Sequence, residues 1–429
     1  MSNADRSPGI WGRLHWVGLA ALIAALGLCL MPGAADAAKK KKKRDTVKVM
    51  SQNLYIGFDL LNVLEPALEG EVERFANEAG AAVRDAQTND FNVRAKTIAQ
   101  QIKKNKVDLA GLQEAALYRL EIPTDGGAPS ILNPTGTYAQ VPLIDYIDTL
   151  LDALNKKARS KRQCERFKEK RPGKECYRGY KLVGLGTNTT LDAENPADLD
   201  GDDNTGVDIP PDDPRLFGID ADVRLTLRDA LIVRKGAGIK LRNTRGQSFS
   251  PSNTIAFELL GGAVTIGFER GWVSTDANVR GMKFRFVNTH LESESVGTFR
   301  EDQAAELVGA GGPASRANTV LVGDLNSDSS IQPTNLPDGD SSSNIAYNRI
   351  AAAGFSPVSG PGLTDGHAEL LNNPNDNTFT KRLDWILTNS PRIRMVKSFV
   401  LNRFANGLWQ SDHGGVLSVL AMPGGKKKK

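Results

Sequence analysis

Cysteine is scarce, with three in 429 residues at positions 29, 164 and 176. No histidine lies near Cys164 and Cys176, and two thiols do not complete a zinc site, so a cysteine metal centre is excluded. The pair stands twelve apart in a basic stretch and can close one local disulfide in an oxidising compartment. Long apolar runs are missing as well. The candidate from Trp16 to Met31 has 16 residues, short of the roughly 20 that a spanning helix needs. No internal repeat divides the chain.

What is present begins with a targeting segment. Arg6 and Arg13 precede the apolar run, Pro32 and Gly33 end it, and Ala35-Asp36-Ala37 supplies the small residues of a cleavage site. Residues 1–37 therefore read as a secretory signal peptide, with a retained membrane anchor as the alternative. Leu28, where lipid-attachment signals want a small residue, argues against a lipoprotein anchor at Cys29. Cleavage after Ala37 leaves about 392 residues, enough for one large domain with its own core.

Net charge is +4, yet Lys39 to Lys43, Arg44 and Lys426 to Lys429 alone carry ten positive charges. The body between these tails is acidic, at about −6. Residues 38–45 and 422–429 read as solvated basic tails that also suit contact with nucleic acid or an anionic envelope or lipid surface. Between them lies one domain over residues 46–421, interrupted by a long polar insertion at about 120–224. That insertion holds a predicted helix from Leu143 to Lys157, a basic run from Lys156 to Arg178 and an acidic run from Asp198 to Asp213. The acidic run fails as an EF-hand, because Asp203 and Ile209 stand where the loop needs Gly and Glu. Its length and polarity make the insertion the place to look for substrate selection.

Thr46 to Met50 alternates polar and apolar residues and predicts a strand ending near Asn53. Val93, Ala95, Ile98, Ala99 and Ile102 recur at helical spacing. Val107 to Leu112 predicts a buried strand ending at Glu114. Further strands are predicted at Arg228 to Val233, Lys283 to Val287, Thr319 to Val322, Leu383 to Leu387 and Gly415 to Leu420. Strands alternating with helical or loop segments imply sheets flanked by helices.

One pattern repeats along these strands, with polar residues falling at their tips. Asn53, Glu114, His290, and Asp324 with Asn326 each follow an apolar run. Asp384 lies within one, and Asp412-His413 precedes another. Any one of these alone is an ordinary strand-end residue. Together they supply carboxylates and amides for a hard cation and two imidazoles for proton transfer.

In chain order, Ser51-Gln52-Asn53-Leu54, Gly111-Leu112-Gln113-Glu114, Asn288-Thr289-His290-Leu291, Gly323-Asp324-Leu325-Asn326-Ser327, Arg382-Leu383-Asp384 and Ser411-Asp412-His413 resemble the motif set of the endonuclease/exonuclease/phosphatase superfamily, the deoxyribonuclease I-like proteins. The resemblance spans residues 46 to 421. It implies a four-layered α/β sandwich, with two central mixed β-sheets packed face to face and helices outside. It implies that Glu114, with Asn53 and Asp412, holds a divalent cation, magnesium first and manganese or calcium as alternatives. His413 is expected to take a proton from the attacking water, oriented by Asp384. Asp324 and Asn326 position the nucleophile and a phosphoryl oxygen, His290 binds phosphate or protonates the leaving oxygen, and Arg228 offers its fork to the phosphate. The alternative for Arg228 is a structural salt bridge with Asp229 or Asp222.

Tyr55 stands where some branches carry a second carboxylate, which favours one metal over two. Glu292 and Glu294 read as surface residues, and His367 as peripheral. The implied activity is a secreted, metal-dependent phosphodiesterase, with a nuclease as first choice, acting as a monomer without a protein partner. A phospholipid head-group phosphodiesterase is the runner-up and predicts exposed residues among Phe268, Trp272 and Trp409. A phosphomonoesterase predicts a small pocket lined by Arg and Lys. A binding module without activity is disfavoured, because Glu114, Asp324, Asp384 and Asp412 are all carboxylates.

Overall fold

The computed structural model describes residues 46–69, 71–122, 139–188, 194–197, 221–250, 253–259, 262–293, 298–332 and 342–421. The signal segment, both Lys tails, the acidic run from Asp198 to Asp213 and Glu294 lie outside the described residues.

Two large sheets form the centre. In the first, strand order is Arg394–Leu401, Gly415–Ala421, Thr46–Asn53, Leu109–Gln113, Ala221–Arg234, Leu117–Glu121 and Val141–Asp145. Tyr180–Asn188 and Glu194–Ala197 also pair with Ala221–Arg234. The second runs Ser356–Pro357, Asp384–Thr388, Thr319–Asp324, Met282–His290, Gly271–Val279 and Ile239–Ser248. Each sheet is mixed, because Thr46–Asn53 runs parallel to Leu109–Gln113 and Met282–His290 parallel to Thr319–Asp324, while their other neighbours are antiparallel.

Period-two alternation of side chains builds the layers. Val47, Val49, Leu109, Leu231 and Val233 of the first sheet meet Val273, Phe284, Phe286, Val320, Val322 and Ile386 of the second in one buried cluster. The intervening residues point the other way. Met50, Ala110, Leu112 and Ile232 pack with Ile98 and Ile102 of the helix Phe91–Asn105 and with Leu150 and Leu154 of the helix Tyr146–Asn155. On the far side, Val287, Leu321, Trp385 and Leu387 pack with Leu307 of the helix Phe299–Val308 and Ile350 of the helix Ile345–Ala352. Helices, sheet, sheet and helices are the four layers of the expected sandwich.

The helix predicted to begin at Leu143 begins at Tyr146. Val141–Asp145 is a strand paired with Leu117–Glu121, and Asp145 ends it by accepting hydrogen bonds from the backbone N–H of Ile147 and Asp148, the ordinary work of an N-cap. Where it is described, the 120–224 insertion is regular. It includes the helix Lys161–Lys170, tied by a Cys164–Cys176 disulfide with a Cα–Cα separation of 5.6 Å. Among the described residues no helix is long and apolar enough to cross a membrane.

At the end of the sheets where Leu109–Gln113 starts, Asp108 is buried and accepts from the Lys48 backbone N–H at 3.1 Å, from Arg234 at 2.8 Å and from Arg280 at 2.7 Å. Burial works to raise its pKa, but the two guanidinium groups win and hold the carboxyl below the usual carboxylate range. A carboxyl depressed on folding stabilises the fold above its unfolded value and loses that contribution as pH falls through the folded one. Asp108→Asn is therefore expected to cost about 2–3 kcal/mol near neutral pH, less than a fully dry pair because Arg280 is partly exposed. Urea unfolding at pH 7 and pH 3 checks this, the difference between variant and parent shrinking at the lower pH.

Candidate active site

The predicted residues converge because of strand direction. Asn53, Glu114, His290 and Asp324 stand at or just past the C-terminal ends of the two parallel pairs, the edge where open α/β sheets bind ligands. Register places His290 beside Asp324, and Asp324 beside Asp384. Strand Gly415–Ala421 runs antiparallel to Thr46–Asn53, which brings Asp412 and His413 to the same edge. Glu114 and Asn326 take left-handed backbone conformations, φ 52° and 44°, that turn the chain at the strand ends. Beneath the site the two sheets are joined by polar side chains, with Gln113 donating to the Asn288 carbonyl oxygen and the Asn288 amide donating to Leu112 O at 2.9 Å.

Asn53 brackets the two sheets at the cleft floor. Its Nδ2 donates to Glu114 Oε1 at 2.9 Å and to Asp324 Oδ2 at 3.0 Å, and its Oδ1 accepts from the Tyr55 backbone N–H at 2.9 Å. Asn53 thus ties Glu114 to Asp324 through its amide N–H groups, while its oxygen, which accepts one hydrogen bond, keeps a second lone pair.

His413 and Asp384 form a buried pair, Nδ1 to Oδ2 at 2.7 Å. On its other side His413 Nε2 lies 3.3 Å from Asp365 Oδ1 and 3.7 Å from Asp324 Oδ2. Burial disfavours a charged imidazole, but Asp384, Asp412, Asp365 and Asp324 outweigh it and raise the His413 pKa well above that of an ordinary histidine. The carboxylates are crowded in turn. Burial, offset in part by His413 and reinforced by Asp324, pushes Asp384 up to about 6. Burial, then repulsion from Glu114 and Asp365 against the pull of His413, pushes Asp412 up to about 7.

His290 is held in the opposite state. Burial and the neighbouring Arg270 guanidinium lower its pKa to about 3. Arg270 Nη1 sits 3.2 Å from Nδ1 and Asn326 Nδ2 3.0 Å from Nε2, so a nitrogen that donates faces each side of the ring. Nε2 is turned to the cleft, 3.7 Å from Asp324 Oδ2.

Arg228 requires a correction. Its guanidinium makes a two-pronged pair with Asp145, at 2.8 and 3.0 Å, and donates to the backbone oxygens of Ala115 and Ala116. It is committed to joining three segments and does not line the cleft. The structural alternative holds, with Asp145 as partner in place of Asp229 or Asp222. Glu292 is buried and pairs with Arg270 at 3.2 Å, so it is not a surface residue. His367 lines the cleft and stacks on Trp409, centroids 4.4 Å apart. Trp272 and Trp409 are both buried, which removes them as membrane-touching residues, and the side chain of Phe268 lies outside the described residues.

Two residues escaped the sequence reading. Asp365 comes from a loop between strands, and nothing in Thr364-Asp365-Gly366-His367 marks it more than any Asp-Gly turn. Arg270 sits just before a strand, where a lone arginine carries no signal.

The cleft has a volume of about 520 Å³. Carboxylates of Asp59, Glu114, Asp324, Asp365, Glu369 and Asp412 line it, against Arg270 and Lys381 as fixed cations. Such a set repels a phosphate and fits a hard dication, which prefers oxygen ligands and relieves the crowding. Donor atoms of Asp365, Asp412 and His413 lie within 4.8 Å of one another, as do those of Asp324, Asp384 and His413. A larger groove of about 1400 Å³, lined in part by helices Phe91–Asn105 and Tyr146–Asn155, contains none of the predicted residues.

No curated protein matches the sequence. Solved structures similar in fold include the mannosyl-6-phosphatase Bt3783 of Bacteroides thetaiotaomicron, 16% identical with TM-score 0.41 over 88% of this chain and 100% of that one. The TDP2 of D. rerio complexed with single strand DNA product is 12% identical, with TM-score 0.38 over 88% and 100% of the two chains. The human Nocturnin catalytic domain is 13% identical, with TM-score 0.37 over 89% and 97%. Likeness at this level carries no argument about substrate. The sequence model of the endonuclease/exonuclease/phosphatase family, by contrast, matches residues 72–413, a span that holds Glu114, His290, Asp324, Asn326, Asp365, Asp384, Asp412 and His413, and the chain belongs to that family.

Proposed function

We propose that this chain is a divalent-metal-dependent hydrolase of phosphodiester bonds, with a nucleic acid as the first-choice substrate. One observation carries the reading. Asp324 Oδ2 stands 3.7 Å from the Nε2 of both His413 and His290, and their surroundings drive the two imidazole pKa values in opposite directions, His413 up through its carboxylate neighbours and His290 down through burial and Arg270. Environments that push two titratable groups apart divide proton transfer from hydrogen bonding.

Glu114 and Asp412 are the residues to hold the cation, which when bound supplies Lewis-acid charge to the phosphoryl oxygens; magnesium is the first choice. Asp384 keeps a proton on His413 Nδ1, so that Nε2 is the nitrogen that exchanges protons with the cleft. Asp365 Oδ1, 3.3 Å from Nε2, takes the proton from that nitrogen, which is then able to accept one from the attacking water. Asp324 accepts a hydrogen bond from that water and orients it. The Asn326 amide donates to a phosphoryl oxygen as negative charge grows on it, and His290, whose Nε2 is turned to the cleft beside it, is the second polar group for the phosphate.

A second reading is a phosphomonoesterase, favoured by the modest cleft and by Arg270 and Lys381 on its wall. Export as a secreted protein, and retention at an anionic envelope, are supported by the Trp16 to Met31 run and by the Lys tails. The test compares hydrolysis of plasmid DNA, an RNA oligonucleotide, sphingomyelin, bis-p-nitrophenyl phosphate and p-nitrophenyl phosphate, with magnesium and with chelator. Metal-dependent cleavage of DNA or RNA together with the bis-ester is expected. Cleavage of the monoester alone establishes the second reading, and cleavage of none refutes both.

A further inference from the structure

The end of the molecule away from the catalytic cleft carries a second cavity. Strands Thr46–Asn53 and Leu109–Gln113 run toward the cleft, so Lys48 and Asp108 lie at the far end, and Arg234 joins them there through Asp108. The five residue steps from Lys48 to Asn53 correspond to about 16 Å. Here a cavity of about 420 Å³ is lined by Arg178, Lys181, Arg234 and Lys235, otherwise by apolar residues and glycine, with no carboxylate.

The cations are poorly matched. Arg234 pairs with Asp108 and Glu175, whereas Arg178, Lys181 and Lys235 form no ion pair among the described residues. The Nε atoms of both Arg178 and Arg234 are buried without a hydrogen-bond partner. A buried donor left unpaired is costly, more so on a charged group. Arg178 reaches this position over Gly236, where φ is +77° and an added Cβ would come 2.7 Å from Arg178 Cδ, so the turn needs glycine for its conformation and for the room.

The surroundings extend the positive field. Helix Lys161–Lys170, held by the Cys164–Cys176 disulfide, exposes Lys161, Arg162, Arg166, Lys168 and Lys170 against Glu165 and Glu169. Its loop is tied to the same end, where Glu175 bridges Lys106 and Arg234. Clustered positive charge of this kind concentrates anions near the surface.

We propose that this cavity is a second anion site, which takes a phosphate group between Arg178, Lys181 and Lys235. The Arg178 guanidinium and the Lys181 and Lys235 ammonium groups, none of them in an ion pair among the described residues, supply donors and charge that match the acceptor oxygens of a phosphate. The site does not depend on the proposed catalytic function, and a phosphate-bearing surface held there leaves the catalytic cleft facing away from it. The phosphate is either free in solution or carried on a lipid headgroup.

The test adds inorganic phosphate to the full chain in the presence of chelator and follows amide hydrogen exchange in segments 178–182 and 233–241. Protection of both segments is expected, with affinity lowered about tenfold or more in Lys181→Glu/Lys235→Glu and in a separate Arg178→Gln variant. Hydrolysis of bis-p-nitrophenyl phosphate stays unchanged in these variants. Retention on phosphatidylglycerol vesicles, lost in the variants and not seen with phosphatidylcholine, assigns the phosphate to a lipid headgroup. Protection by phosphate without vesicle retention assigns it to the free ion. Absence of protection, or equal protection in parent and variants, overturns the site.

Discussion

His413→Ala is expected to lower turnover of bis-p-nitrophenyl phosphate by about 10³-fold, with circular dichroism and cooperative unfolding retained. Its Nδ1 is held by Asp384 at 2.7 Å and its Nε2 is turned to Asp324 and Asp365, whereas burial and Arg270 lower the pKa of His290. The loss should therefore fall on kcat. Asp384→Asn tests the same unit from behind. An amide in place of the carboxylate presents a donor to Nδ1 and forces the wrong tautomer, so a loss of about 10³–10⁴-fold is expected with His413 still in place. Combining the two changes should add little, since residues that act as one unit are not additive. A double variant much slower than either single would show that Asp384 works apart from His413.

Glu114→Ala is the second large effect. Glu114 accepts from Asn53 Nδ2 and from the Ile56 backbone N–H, each at 2.9 Å, so its two oxygens are fixed at the cleft floor before any cation arrives. Removal of the carboxylate leaves Asp412 and Asp365 without the third anionic wall. Activation by magnesium is expected to fall by about 10³-fold in rate at subsaturating metal. Calorimetry should show metal affinity weakened in parallel. A variant that binds magnesium normally and is merely slow would move Glu114 from the metal to the substrate.

The legible part of this protein was set by local pattern. Alternation in Thr46 to Met50, helical spacing from Val93 to Ile102 and the apolar run into Glu114 each correspond to a formed element, because all three bury their apolar face in the layer that their period demands. Glu114, His290, Asp324, Asp384 and His413 were identifiable as strand-tip residues, and parallel pairing brings them to one edge. What escaped was decided by long-range geometry. Arg228 looked like a phosphate fork beside a strand tip, yet Asp145, 83 positions away, claims it. Asp365 enters through a loop whose path depends on Thr364, which accepts from the Asp384 N–H. Arg270 and Glu292 form a buried pair behind His290 that no spacing rule predicts. Leu143 to Asp145 reads as the start of a helix but ends the strand Val141–Asp145, because the partner strand Leu117–Glu121 cannot be seen from either segment alone.

The central claim is that this cleft performs metal-dependent phosphoester hydrolysis, and its most direct test is the rate of bis-p-nitrophenyl phosphate hydrolysis by the full chain across a magnesium titration, with and without chelator, beside His413→Ala. The account predicts a rate that rises with magnesium to saturation, collapses in chelator and is nearly absent in the variant at every concentration. Hydrolysis that persists in chelator, or that survives the loss of His413, would contradict it.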